Sequence, residues 1–90
     1  MPSRRPAVRG LTVRQRQVLL LAAAGCTSEQ AGRRLGIHRN TVDRHLGETY
    51  RLLDARDRTH AVVLAIYHGY ITLADITAIA IANQTREQAA

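Results

Sequence analysis

Two helical patterns meet across only three residues near the middle of the chain. A segment opening at Thr27 sets Ala31 and Leu35 four residues apart and stops at Gly36. After Ile37 and His38 a second pattern begins, and from Arg39 to Leu53 it stacks Val42, Leu46, Thr49 and Leu53 on one face. Two helices joined this tightly form a helix-turn-helix, and the rest of the chain has to pack around that pair.

The flanking segments carry their own start and stop signals. Thr12 followed by Gln15 is a capping-box pattern, and Val18, Leu19, Leu21 and Ala22 keep near-helical spacing until Gly25, which predicts a first helix over 13–24. Thr27 and Gln30 repeat the box for a second helix over 28–35. Asp57 caps a fourth helix, 58–68, whose run AVVLAIY is apolar on more than one face and therefore needs two partners. Thr72 with Asp75 opens a fifth, with Leu73, Ile76, Ile79, Ala80 and Asn83 along one side and a polar end, NQTREQAA, expected to fray. Residues 1–10, with two Pro, one Gly and three Arg, read as a disordered basic arm. The fold class is all-α.

Charge distribution narrows the partner. Every one of the thirteen basic residues is Arg; twelve fall in residues 1–60 against five acids, whereas residues 61–90 hold one Arg against two acids. A positive first two-thirds suits a polyanion, since each neutralised phosphate releases counterions. Ninety residues without Trp or Phe make one small domain with a core of Leu, Ile, Val and Ala. The single Cys26, a loop or core thiol, excludes an internal disulfide and leaves no zinc-ligand set, so no metal is expected. The N-terminus lacks an apolar signal region and no stretch is apolar enough to span a bilayer, which points to a cytoplasmic protein. Scattered His, cap-like Thr27 and Ser28 and the absence of a Gly-rich phosphate loop argue against an enzyme, and no cofactor is expected.

Opposite the apolar stripe of the third helix stand Asn40, Arg44, Gly47 and Arg51, with Asp43 on the flank. Arg bridges O6 and N7 of guanine, Asn bridges N7 and N6 of adenine, and Asp accepts from the cytosine amine, so the strip has the chemistry to read base edges. Gly47 lets a backbone approach closely. The same residues also fit a solvated helix face in which Glu48 pairs with Arg44 or Arg51.

Residues 11–71 resemble the LuxR (GerE) type of DNA-binding domain. The likeness runs through LTVRQRQVLLLAAAGCTSEQAGRRLGI and NTVDRHLGETYRLLDARDRTHAVVLAIYHGYI, where Thr41, Val42, His45, Leu53, Arg58 and Ala61 fall in the family's pattern. It implies a four-helix fold, here with an additional C-terminal helix in 72–90, whose third helix enters the major groove while the second steadies it and the fourth often serves as a dimer surface. The expected base contacts are Asn40, Asp43, Arg44 and Gly47. The expected phosphate contacts are Thr27, Ser28, Arg33 and Arg34 on the second helix, and Arg39, Thr41, His45 and Arg51 on the third. For Arg33 and Arg34 a plain solvated surface fits equally, and His45, whose imidazole would make a phosphate contact pH-sensitive, also suits packing. Arg4, Arg5 and Arg9 fit a minor-groove arm or an unstructured tail.

Departures from the pattern mark weak points. Gln15 replaces an acid, keeping a capping partner but losing a charge, and Ala31 and Thr49 replace two Ile, so at those two core positions looser packing or a compensating neighbour is expected. Asp43 stands where Lys is common. His38 stands where a capping Ser is usual, leaving Asn40 or a phosphate to satisfy the free amides.

The expected function is a sequence-specific double-stranded DNA-binding transcriptional regulator, stand-alone because no receiver or sensing segment precedes the motif, and homodimeric through Val62, Val63, Ile66, Tyr67, Tyr70, Ile76 and Ile79. The alternatives are a module resembling region four of sigma factors that binds RNA polymerase, and a helical assembly protein using residues 58–83.

Overall fold

The computed structural model describes residues 10–89, with side chains through residue 85; the basic arm of residues 1–9, including Arg4, Arg5 and Arg9, lies outside the described residues. Five helices follow one another: α1 Val13–Ala23, α2 Ser28–Leu35, α3 Arg39–Leu53, α4 Arg58–Tyr67 and α5 Leu73–Ala89. No strand occurs among the described residues.

Helix starts are set by side chains that take up orphan amides. Gln15 N–H donates to Thr12 Oγ1 at 3.0 Å while Thr12 N–H donates to Gln15 Oε1 at 2.9 Å, closing the box at α1. Thr27 and Gln30 close the same box at α2, at 3.1 and 2.8 Å. Asp57 accepts from His60 N–H at 2.9 Å, and Thr72 with Asp75 opens α5 reciprocally at 3.0 and 3.2 Å. At the other end of α2, Gly36 sits in the left-handed region at φ 71°, which returns the chain so that Ile37 N–H reaches Gly32 O at 2.9 Å.

The core forms around α1, which packs against each of the other four helices. Val18 and Leu19 are fully enclosed, Leu20, Leu21 and Ala22 nearly so, and they meet Ala31, Val42, Leu46, Leu53, Ala61, Ala65 and Ile71. Burial of a Val or Leu this complete contributes about 1.5–3 kcal/mol each. Packing on several sides explains the nearly continuous VLLLAA run, in which Val18 through Ala22 are all buried.

The doubly apolar α4 turns only its small residues, Ala61 and Ala65, fully inward, which draws its backbone close to the core. Arg16 binds the α4–α5 corner, its Nε donating to Tyr70 O at 2.9 Å and its Nη2 to Asp75 Oδ2 at 3.2 Å. Through that corner α5 lies back along α1, with Ile76 and Ile79 against the core. One expectation for α5 changes. Leu73 is 65% exposed and leaves the apolar side assigned to it, and the helix runs through Ala89, including most of the polar end NQTREQAA. The terminal residues Gln, Arg, Glu and Ala are good helix formers and neither Gly nor Pro interrupts them.

Candidate nucleic-acid interface

Packing of α3 divides it into two sides. Val42, Leu46, Thr49 and Leu53 are buried against α1, α2 and α4, and this fixes which residues remain outside. Asn40, Asp43, Arg44 and Arg51 are exposed, Gly47 is half-buried between them, and Arg39 is exposed at the helix start. Thr49 occupies a fully buried site usually filled by Ile; its hydroxyl donates to His45 O at 2.7 Å, so the polar atom is satisfied within the helix.

The turn into α3 depends on a close approach. A Cβ on Gly32 would lie 2.5 Å from Ile37 O, so only glycine allows α2 to sit so near the chain returning into α3. His38 then caps α3 by accepting from Asn40 N–H through Nδ1 at 3.0 Å. The expected shortfall at this cap is thus met by the imidazole itself, leaving the Asn40 side chain free to face outward.

Glu48 resolves the choice between a self-neutralised helix face and an open cationic one. Its carboxylate accepts from Gln15 Nε2 at 3.3 Å and lies 3.7 Å from His45 Nδ1, toward α1. Arg44 and Arg51 consequently have no ion-pair partner among the described residues, and the Arg51 guanidinium lies over Gly47. Gln15, read as a neutral substitute for an acid, therefore both caps α1 and holds Glu48 away from the arginines. The Nδ1 atom of His45 is buried without a hydrogen bond, with Glu48 its nearest charged neighbour.

Other expected contacts are distributed as follows. Ser28 donates its hydroxyl to Asp43, so a residue at the start of α2 orients the acid on α3. Arg39 faces Glu29 at 3.8 Å, an exposed and long pair that contributes little. Arg33 is exposed on α2 without an ion pair among the described residues, whereas Arg34 is half-buried and donates to Asn83 on α5. Thr27 is exposed at its cap and Thr41 half-buried in the first turn of α3. Of the residues expected at a dimer surface, Val62, Ile66, Tyr70, Ile76 and Ile79 lean partly on the chain's own core, while Val63 and Tyr67 are 56% and 80% exposed on α4.

Four functional details escaped the sequence reading: the close approach at Gly32, the imidazole cap, the hold of Gln15 on Glu48, and the reach of Asn83. The last had a signal, since Asn83 falls on the otherwise apolar side of α5. Among the described residues no group of His, Cys, Asp and Glu could hold a metal ion, and no helix is long and apolar enough to cross a membrane.

Comparison with known proteins agrees with this architecture. The family described as bacterial regulatory proteins, luxR family, matches residues 9–65. The transcriptional activator protein BjaR1 of Bradyrhizobium diazoefficiens is 41% identical over 70 residues, 78% of this chain and 28% of that protein. The uncharacterized transcriptional regulatory protein YvfU of Bacillus subtilis is 36% identical over 61 residues, 68% of this chain and 30% of that protein. The chain thus spans less than a third of these curated relatives. No solved structure gives a significant match. With the family pattern covering most of the chain and the helix-turn-helix folded as that pattern requires, this protein belongs to the luxR family of bacterial regulatory proteins.

Proposed function

We propose that the chain binds specific double-stranded DNA sequences as a homodimer and regulates transcription, with α3 lying in the major groove. The observation that carries this reading is the uncovered strip of α3, on which Arg44 and Arg51 stand without carboxylate partners on a helix anchored by four buried residues. In this reading Asn40, Arg44 and Asp43 meet base edges, Asp43 already oriented by Ser28 for a cytosine amine, and Gly47 lets the helix sit deep. Thr27, Arg33, Arg39, Thr41, His45 and Arg51 contact phosphates and set the register. Arg34 is a lesser contributor because it already donates to Asn83.

The homodimer is supported by Val63 and Tyr67, four residues apart and exposed on one side of α4. Two copies related by a two-fold axis would place two α3 helices on half-sites about one helical turn apart. Selection of bound fragments from random DNA tests both parts together: an enriched inverted repeat is the expected result. Retention of all sequences alike, or of none at low salt, would contradict specific binding. Enrichment of a single half-site, with only monomer sedimenting on it, would contradict the dimer.

A further inference from the structure

The extra helix makes a second concave surface, lined by no described residue of α3. Where α5 crosses the end of α1 and the start of the helix-turn-helix, a cleft of about 580 Å3 opens between α2 and α5. Arg33, Arg34 and Gln30 line one wall, Ala80, Ile81 and Asn83 the other, and among the described residues no Asp or Glu contributes to it. The family match ends at residue 65, before α5 begins, so this cleft does not follow from family membership.

Its floor is held by side chains. Asn83 donates through Nδ2 to the buried Cys26 Sγ at 3.3 Å and accepts from Arg34 at its oxygen, so both ends of the amide are engaged and its orientation is fixed. Arg34 is half-buried, yet a neutral amide is its one hydrogen-bonded partner among the described residues. A guanidinium has five N–H donors, and one that is partly withdrawn from water without a carboxylate favours an incoming oxyanion. Arg33 adds a second charge beside it, and Ala80 and Ile81 give the opposite wall an apolar surface.

We infer that the α2–α5 cleft is a binding site for a small organic anion, with the oxyanion on Arg34 and Arg33 and a short apolar body against Ala80 and Ile81. The oxyanion is a carboxylate or a phosphate, since both match the guanidinium fork. Arg33 is shared with the proposed phosphate contacts, whereas the α5 wall is not. Because α2 belongs to the helix-turn-helix, occupancy of the cleft would be felt there.

Amide NMR titration of the full chain tests it, with octanoate and inorganic phosphate as separate probes. Saturable shifts at Gln30, Arg34, Ile81 and Asn83 are expected from at least one probe, and the stronger one identifies the oxyanion. Arg34→Gln should weaken that binding about tenfold or more, the scale of a lost charge-assisted bond. Asn83→Asp, which supplies Arg34 with an internal carboxylate, should abolish it. Unchanged circular dichroism would show that both variants fold. Three results would overturn the site: no saturation by either anion below about 10 mM, which leaves less than about 3 kcal/mol of binding; equal binding by Arg34→Gln; or shifts at Ile81 and Asn83, on the α5 wall, with duplex DNA alone, which would make the cleft part of the nucleic-acid contact.

Discussion

Replacing Gly47 by alanine separates folding from recognition in one substitution. A Cβ built at Gly47 meets only the Arg51 guanidinium, at 3.8 Å, an ordinary contact with the end of a flexible side chain. The fold therefore loses nothing, and α3 gains because glycine inside a helix costs about 0.5–1 kcal/mol relative to alanine. For a domain of this size that corresponds to a rise in Tm of roughly 2–8 °C. The new methyl, however, stands in the strip between Arg44 and Arg51, where a helix seated in the major groove has no spare distance. Lifting the helix enough to strain one good base contact costs about 1–3 kcal/mol, or roughly 5- to 150-fold in affinity. Thermal melting by circular dichroism and fluorescence anisotropy on a selected duplex at fixed salt read the two effects independently. A higher Tm with unchanged affinity would refute the placement of Gly47 against DNA, and a lower Tm would refute the packing given for α3.

Three further outcomes are expected. Arg44→Ala should lower affinity for the selected duplex by about 1–3 kcal/mol and relax discrimination at one base pair, whereas Arg33→Ala should weaken all duplexes alike and flatten the salt dependence by about one phosphate, both read from anisotropy over a salt series. Gly32→Ala forces a methyl against Ile37 O, 2.5 Å away, and should cost about 1–3 kcal/mol in urea unfolding; a neutral result would mean that the turn into α3 is less tight than described. Thr12→Ala removes the side-chain acceptor for Gln15 N–H at the start of α1 and should cost about 1 kcal/mol of stability, read by thermal melting.

Much of this architecture is local and was therefore readable. The Thr12, Thr27, Asp57 and Thr72 caps act over three residues, and Gly25, Gly36 and Gly69 supply the positive φ that ends α1 and α2 and turns the chain after α4, so element number and order followed from short-range rules. The split of α3 into a buried and an outer side was equally legible, because one periodic pattern decides both. Contacts between distant residues were not. Gln15 reaches Glu48 across 33 positions and Arg34 reaches Asn83 across 49, and no spacing rule ties such pairs together. That explains why Glu48 could be weighed as a partner for Arg44 or Arg51, and why Arg34 read as no different from Arg33. Gly32 was hidden for a related reason: in sequence it is a poor helix former, and only the returning backbone gives it a purpose.

Arginine modification by phenylglyoxal, mapped by mass spectrometry with and without a selected duplex, tests the role of the α3 strip most directly. Free protein should react at Arg44 and Arg51, which are exposed and unpaired, and bound duplex should protect both while leaving the protein folded. Equal reactivity of these two guanidinium groups in the free and bound protein would contradict the seating of α3 in the groove.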